Sequence, residues 1–195
     1  MAIDATRLLV LGATRQEQPA TGYAIMRELT SWGVQEWASV NPGTIYGALR
    51  SLVVDGLAIE VTGGAAAKGG SHKNSTKYRV TPEGEAAFAD LLHTSLWEVS
   101  PYRAAPFMAA LCFLVELPRK EVSAAIEQRI GGLEASLEQL KSDELDIPGS
   151  ATKPLHSVEF ARLAAARLHG ELDFTRSLLE RVNGGSYHFL GDRES

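Results

Sequence analysis

The sequence predicts a mainly α-helical chain with one small β-hairpin, and three observations carry that expectation. A short amphipathic helix over residues 42–55 carries a start signal and a stop signal, and another short helix precedes it across a turn. Two alternating segments follow it and flank a basic, glycine-rich stretch. The second half of the chain places apolar residues at three-four spacing along long helices. Helix, turn, helix and a two-stranded wing make a winged helix-turn-helix over residues 1–95. Residues 96–195 then form a C-terminal helical, coiled-coil-like domain.

The 42–55 helix organises the rest. Asn41 is a good N-cap, Pro42 suits the first helical position, and Gly56 permits a left-handed exit. Ile45, Ala48, Leu49 and Leu52 share one face at helical spacing and should pack inward. Gly43, Gly47 and Arg50 point the other way, flanked by Thr44, Tyr46 and Ser51. Small residues, one guanidinium and no carboxylate before Asp55 give a face that can approach a polyanion, and arginine can bond guanine O6 and N7 together.

Composition bounds the answer without deciding it. With 195 residues, the chain is long enough for one large or two small domains, and its 45% hydrophobic and 22% charged residues are ordinary for a globular protein. No apolar run reaches membrane-spanning length, and the N-terminus does not read as a secretory signal. The lone Cys112 has no partner for a disulfide, so a cytoplasmic protein is expected. A net charge of −5 argues against general nucleic-acid coating. Between Glu60 and Glu83, however, there is no acid, while Lys68, His72, Lys73, Lys77 and Arg79 all occur there. A basic patch on an acidic body is the pattern to explain.

In chain order, residues 4–14 read as a first helix, with Leu8, Leu9 and Leu11 apolar, and 15–20 as a polar connector. Thr21 should cap a second helix running to about Ser31, with Ile25, Leu29 and Trp32 aligned, and residues 34–40 form another connector. Leu57, Ile59 and Val61 should face inward from one strand, and Tyr78 and Val80 share one side of its return strand. The intervening loop is too small and polar to pack. A phosphate-binding glycine loop would need a helix after it, and a strand follows instead. Thr81, Pro82 and Glu83 then start a further helix.

The segments Thr21-Gly22-Tyr23-Ala24-Ile25, Asn41-Pro42-Gly43-Thr44-Ile45-Tyr46-Gly47-Ala48-Leu49, Asp55-Gly56-Leu57 and Lys77-Tyr78-Arg79-Val80-Thr81-Pro82-Glu83-Gly84, in that order, resemble the PadR family of bacterial transcriptional regulators. Gly47 departs from a usual proline, Val53 and Val54 from common acids, and the wing tip is longer; these departures bear on the operator sequence. The resemblance implies a homodimeric repressor of double-stranded, pseudo-palindromic operator DNA. The expected DNA-facing set is Tyr23, Asn41, Gly43, Thr44, Tyr46, Gly47, Arg50, Lys68, His72, Lys73 and Lys77. Tyr23 and Tyr46 lie where the family approaches the DNA backbone, although Tyr46 suits a partly buried core position equally well.

Past Leu92, an apolar helix is expected from Phe107 to Leu117. Ile126, Ile130, Leu133, Leu137 and Leu140 then form a seam on a helix from about 119 to 141. A last helix over 155–182 carries Leu168, Leu172 and Leu179, and a loose tail follows. This half resembles the C-terminal domain of PadR subfamily 1, related to virulence-activator regulators, whose helices pair across a homodimer. A hairpin hiding its own seam is the alternative. Trp32, Trp37, Trp97, Tyr102 and Phe107 are candidates for an effector pocket, and the resemblance implies a small aromatic or phenolic ligand. They serve equally as interdomain core.

His72, His93, His156, His169 and His188 make no zinc spacing, and no catalytic constellation stands out, so neither metal, cofactor nor enzyme activity is expected. An enzyme with a winged-helix dimerisation module, as in small-molecule methyltransferases, would need a strand-loop-helix cofactor domain that the helical second half does not offer. A winged helix used only for protein contacts fits poorly with an acid-free wing.

Overall fold

A computed structural model describes residues 4–62, 76–146 and 154–192, which group into two units, Met1–Leu92 and His93–Ser195. The first unit runs α1 (Ala5–Glu17), β1 (Ala20–Thr21), α2 (Gly22–Ser31), α3 (Val34–Trp37), α4 (Pro42–Val54), β2 (Ala58–Thr62) and β3 (Thr76–Val80). α5 (Pro82–Trp97) crosses the boundary. The second unit adds α6 (Ala105–Leu111), a 3₁₀ turn (Leu114–Glu116), α7 (Arg119–Asp146) and, after a second 3₁₀ turn (Leu155–Ser157), α8 (Val158–Asn183).

The helices of the first unit begin where capping chemistry allows. The Asp4 carboxylate accepts from the Thr6 amide, and the Thr21 hydroxyl from the Ala24 amide. The Thr81 hydroxyl accepts from the Gly84 amide and donates to the Gly56 carbonyl, so it joins the start of α5 to the end of α4. α1 is buried along almost its whole length: Leu8, Leu9, Val10 and Leu11 are fully enclosed, and Ile25, Leu29, Ile45, Leu49 and Leu52 close the core around them. Gly84 lies so close to Leu57 that a Cβ there would stand 2.0 Å from the Leu57 carbonyl oxygen.

The sheet order is β1-β3-β2, all antiparallel. Two expectations change here. The polar connector before α2 supplies a third strand, Ala20 pairing with Tyr78 and Thr21 with Lys77. β2 also turns the opposite way: Ala58 is buried and Ile59 is 48% exposed. Its register sets Ala58 opposite Val80 and Ile59 opposite Arg79. Since neighbours across a ladder share a face, the buried Val80 on β3 brings Ala58 inward and leaves Ile59 out. A period of two states alternation but not its phase.

In the second unit α7 and α8 form an antiparallel hairpin, fixed by Arg162–Glu144 (2.9 Å), Arg176–Glu134 (2.7 Å) and Ser123–Asn183 (2.7 Å) along its length. Leu133, Leu140, Ala161, Ala164, Leu168 and Leu172 make its core, with Ile130 and Leu137 packed against it. The seam expected to face a second copy is therefore occupied within one chain. Ile126 is fully buried, and Leu179 is half-buried on α8. The alanines of α8 let the two backbones approach, so the leucines of α7 find their cover without a partner.

The expected apolar helix to Leu117 ends at Leu111 and continues as a 3₁₀ turn. The tail, expected to be loose, is docked in its described part. Arg119 donates to the Val182 and Tyr187 carbonyls and to the Asp192 carboxylate, and stacks over Phe189 at 4.7 Å. Phe189 is 2% exposed, and the Leu190 amide donates to the Val115 carbonyl.

Candidate nucleic-acid interface

α4 begins with a reciprocal cap. The Asn41 side chain accepts from the Thr44 amide, and the Thr44 hydroxyl accepts from the Asn41 amide while donating to the Asn41 carbonyl. Both residues were expected at DNA. They are exposed, but their polar atoms already hold the helix start, so their first task is to fix where α4 begins.

From that start the helix divides cleanly. Ile45, Leu49 and Leu52 are buried, while Gly43 and Arg50 are exposed. None of the ion pairs among the described residues involves Arg50. Gly47 lies on another edge. With Thr44, Ala48 and Ser51 it borders a 330 Å³ recess shared with Asp4, Thr6 and Arg7 of the first helix. Arg7 is paired with Asp55 at 2.8 Å, which ties α1 to the end of α4.

Tyr46 is half-buried, because its ring lies over Gly22 at the start of α2. Tyr23, one residue further on, is 56% exposed. The two tyrosines therefore differ: one sets the packing of α2 on α4, and the other is available at the surface.

Lys77 is exposed on β3, opposite Val61. Beside it the buried Tyr78 faces Glu60 across the ladder. Burial lifts the Tyr78 phenol above the ordinary tyrosine value, Glu60 and Tyr46 add to the rise, and Arg50 opposes it. Lys68, His72 and Lys73 lie outside the described residues.

The aromatic set does not form one group within either unit. Trp32 and Trp37 belong to the first unit, where the Trp37 indole donates to the Trp32 carbonyl and the Trp32 indole to Glu28. Trp97, Tyr102 and Phe107 belong to the second, with Trp97 half-buried and Tyr102 64% exposed. Phe107 is buried, 3.8 Å beneath the guanidinium of Arg129 and edge-on to Phe174. It is committed to the core of the hairpin.

Arg129 itself was missed by sequence reasoning. It is 1% exposed, pairs with Glu171, and donates to the Glu98 carbonyl at 2.6 Å and the Leu96 carbonyl at 3.4 Å. It thus satisfies carbonyls at the end of α5. Burial lowers its pKa, opposed by Glu171. Its signal lay in the seam spacing: Arg129 sits between Ile126 and Ile130 on the inward side of α7. Gly22 carries no signal of its own in the sequence, because its role depends on the position of Tyr46.

A three-helix core with a short helix exposed along one edge, followed by a paired two-stranded wing, is a winged helix-turn-helix domain. Residues 10–90 match the model of the transcriptional regulator PadR-like family.

Among solved structures, the chain is similar to Bacillus subtilis PadR in complex with operator DNA, at 21% identity over 90% of this chain and 98% of that one, with a TM-score of 0.38. It is similar to the same protein in complex with p-coumaric acid, at 18% identity over 94% and 98%, TM-score 0.37. A PadR-like transcriptional regulator from Bacillus cereus gives 18% identity over 92% and 98%, TM-score 0.37. Over whole chains these superpositions are loose. No curated protein matches the sequence. Among the described residues no helix is long and apolar enough to cross a membrane.

Proposed function

We propose that this chain is a homodimeric, ligand-responsive repressor that binds a pseudo-palindromic operator, with α4 as its recognition helix. The observation that carries this reading is the division of α4, its apolar face in the core and Arg50 exposed. In the dimer, two α4 helices enter successive major grooves roughly 34 Å apart and the wings grip the flanking backbone. Arg50 reads a base edge, while Lys68, His72, Lys73 and Lys77 neutralise phosphates or enter the minor groove.

The surface that supports pairing is the outer side of α8 and the turn before it. Leu155, Phe160 and Leu163 are 69%, 73% and 63% exposed, a concentration of large apolar side chains that favours burial against a second copy. The family resemblance supports an effector, a small aromatic or phenolic molecule that loosens DNA by altering the spacing of the two heads. A cytoplasmic location follows from that role.

Selection of bound fragments from genomic DNA tests the reading. The expected result is enrichment of a two-fold symmetric sequence; fragments sharing no sequence would overturn it.

A further inference from the structure

The second unit contains a groove of 360 Å³ that the DNA-binding reading does not use. Its volume falls within the range of small-molecule sites, roughly 300–1,000 Å³. Leu111, Leu114 and Leu178 supply its apolar wall, and the rings of Phe174 and Tyr187 border it. The side chains around it include one cation, Arg181, and no carboxylate. None of the ion pairs among the described residues involves Arg181; its guanidinium lies 5.6 Å from the centroid of the Phe174 ring. The Cys112 thiol adds no negative charge, because burial raises its pKa and it donates to the Met108 carbonyl.

We propose that this groove binds a small apolar carboxylate, the hydrocarbon part against the leucines and rings and the carboxylate on the guanidinium of Arg181. An apolar wall with a single cation selects for a molecule with a greasy body and one negative end. Arg181 makes no ion pair among the described residues, which leaves its guanidinium available to an anion brought from outside.

Two walls are held by the docked tail. The Tyr187 carbonyl accepts from Arg119 at 2.9 Å, and the Val115 carbonyl accepts from the Leu190 amide at 3.0 Å. The groove is thus largely formed before any ligand arrives. Its consequence for DNA rests on the ligand-responsive reading above; its existence as a site does not.

Calorimetry on the full chain with octanoate tests the site, with octanol and octylamine as charge controls. Octanoate should bind once per chain and more tightly than octanol, and octylamine should not bind. Arg181→Gln should weaken octanoate about tenfold or more, the loss of one charge-assisted bond, and leave octanol unchanged. Val115→Trp, at a position 41% exposed, should fill the groove and abolish both, with circular dichroism confirming an intact fold. The proposal falls if octanoate fails to bind, binds no better than octanol, or is indifferent to either substitution. Operator affinity measured in parallel separates the two readings: octanoate bound at Arg181 without any change in operator affinity leaves the site standing and removes it from the control of DNA binding.

Discussion

A Cβ on Gly22 would stand 2.6 Å from Cε1 of Tyr46, inside any allowed contact. The ring of Tyr46 therefore occupies the place of the missing side chain, and that close approach sets how α2 crosses α4. Replacing Gly22 by alanine should push Tyr46 aside and lower stability by about 1–3 kcal/mol, the usual cost of overpacking. Tyr46→Leu removes the clashing atom, so the double variant should recover part of that loss. A double-mutant cycle from urea unfolding measures it, and additive losses would show that the two positions do not interact.

Arg50 and the wing lysines should separate in a salt titration. Arg50→Ala should cost about 1–3 kcal/mol per half-site and relax preference at one base pair. Changing Lys68 and Lys73 to alanine should weaken operator and scrambled DNA alike, with the salt dependence flattened by nearly two units per wing. Equal loss on both DNAs from Arg50→Ala would make it a backbone anchor. No loss from either change would remove α4 from the recognition role.

The Arg129–Glu171 pair should be costly to break from one side. Glu171→Ala leaves a buried guanidinium facing Phe107 and two carbonyls without its counter-charge, and should destabilise the chain by roughly 3–5 kcal/mol. Replacing both with apolar residues of similar volume should recover much of that loss. Thermal unfolding of the single and double variants distinguishes a paired charge from two independent contacts.

Dimerisation should depend on the outer side of α8. Phe160→Glu with Leu163→Glu should give folded monomers, because both side chains are exposed in the single chain. Leu133→Glu with Leu137→Glu should instead unfold the hairpin, since the core between α7 and α8 takes up those leucines. Sedimentation alongside circular dichroism tells the two outcomes apart; an unchanged dimer after the α8 substitutions would place the interface elsewhere.

The docked tail should loosen in acid. The Phe189 amide and Arg119 hold the Asp192 carboxyl below its usual range. A depressed folded-state pKa contributes stability above the unfolded value and loses it as pH falls through the folded one. Hydrogen exchange at the Phe189 and Leu190 amides should therefore accelerate as pH drops below the ordinary aspartate range. In Asp192→Asn it should be fast at every pH once intrinsic exchange is removed. An unchanged profile in the variant would assign the docking to Phe189 burial alone.

The sequence by itself determined the elements whose causes are local. Asn41, Pro42 and Gly56 bound α4, Thr21 starts α2, and the three-four spacing of leucines marks α7, because caps and periodicity act within a few residues of themselves. Tyr78 and Val80 were legible as sharing one side of β3 for the same reason. Tertiary structure decided everything that depended on which surface met which. The phase of β2 came from its ladder to β3, and β1 existed only once Ala20 lay beside Tyr78. The leucine seam of α7 read alike for a partner's helix or its own, and the small side chains of α8 settled it within the chain. Arg129 looked like any charge on a helix until Glu171, Phe107 and the carbonyls of Leu96 and Glu98 surrounded it. Burial, close approach and charge pairing are relations between distant residues, and a linear pattern carries only one side of each.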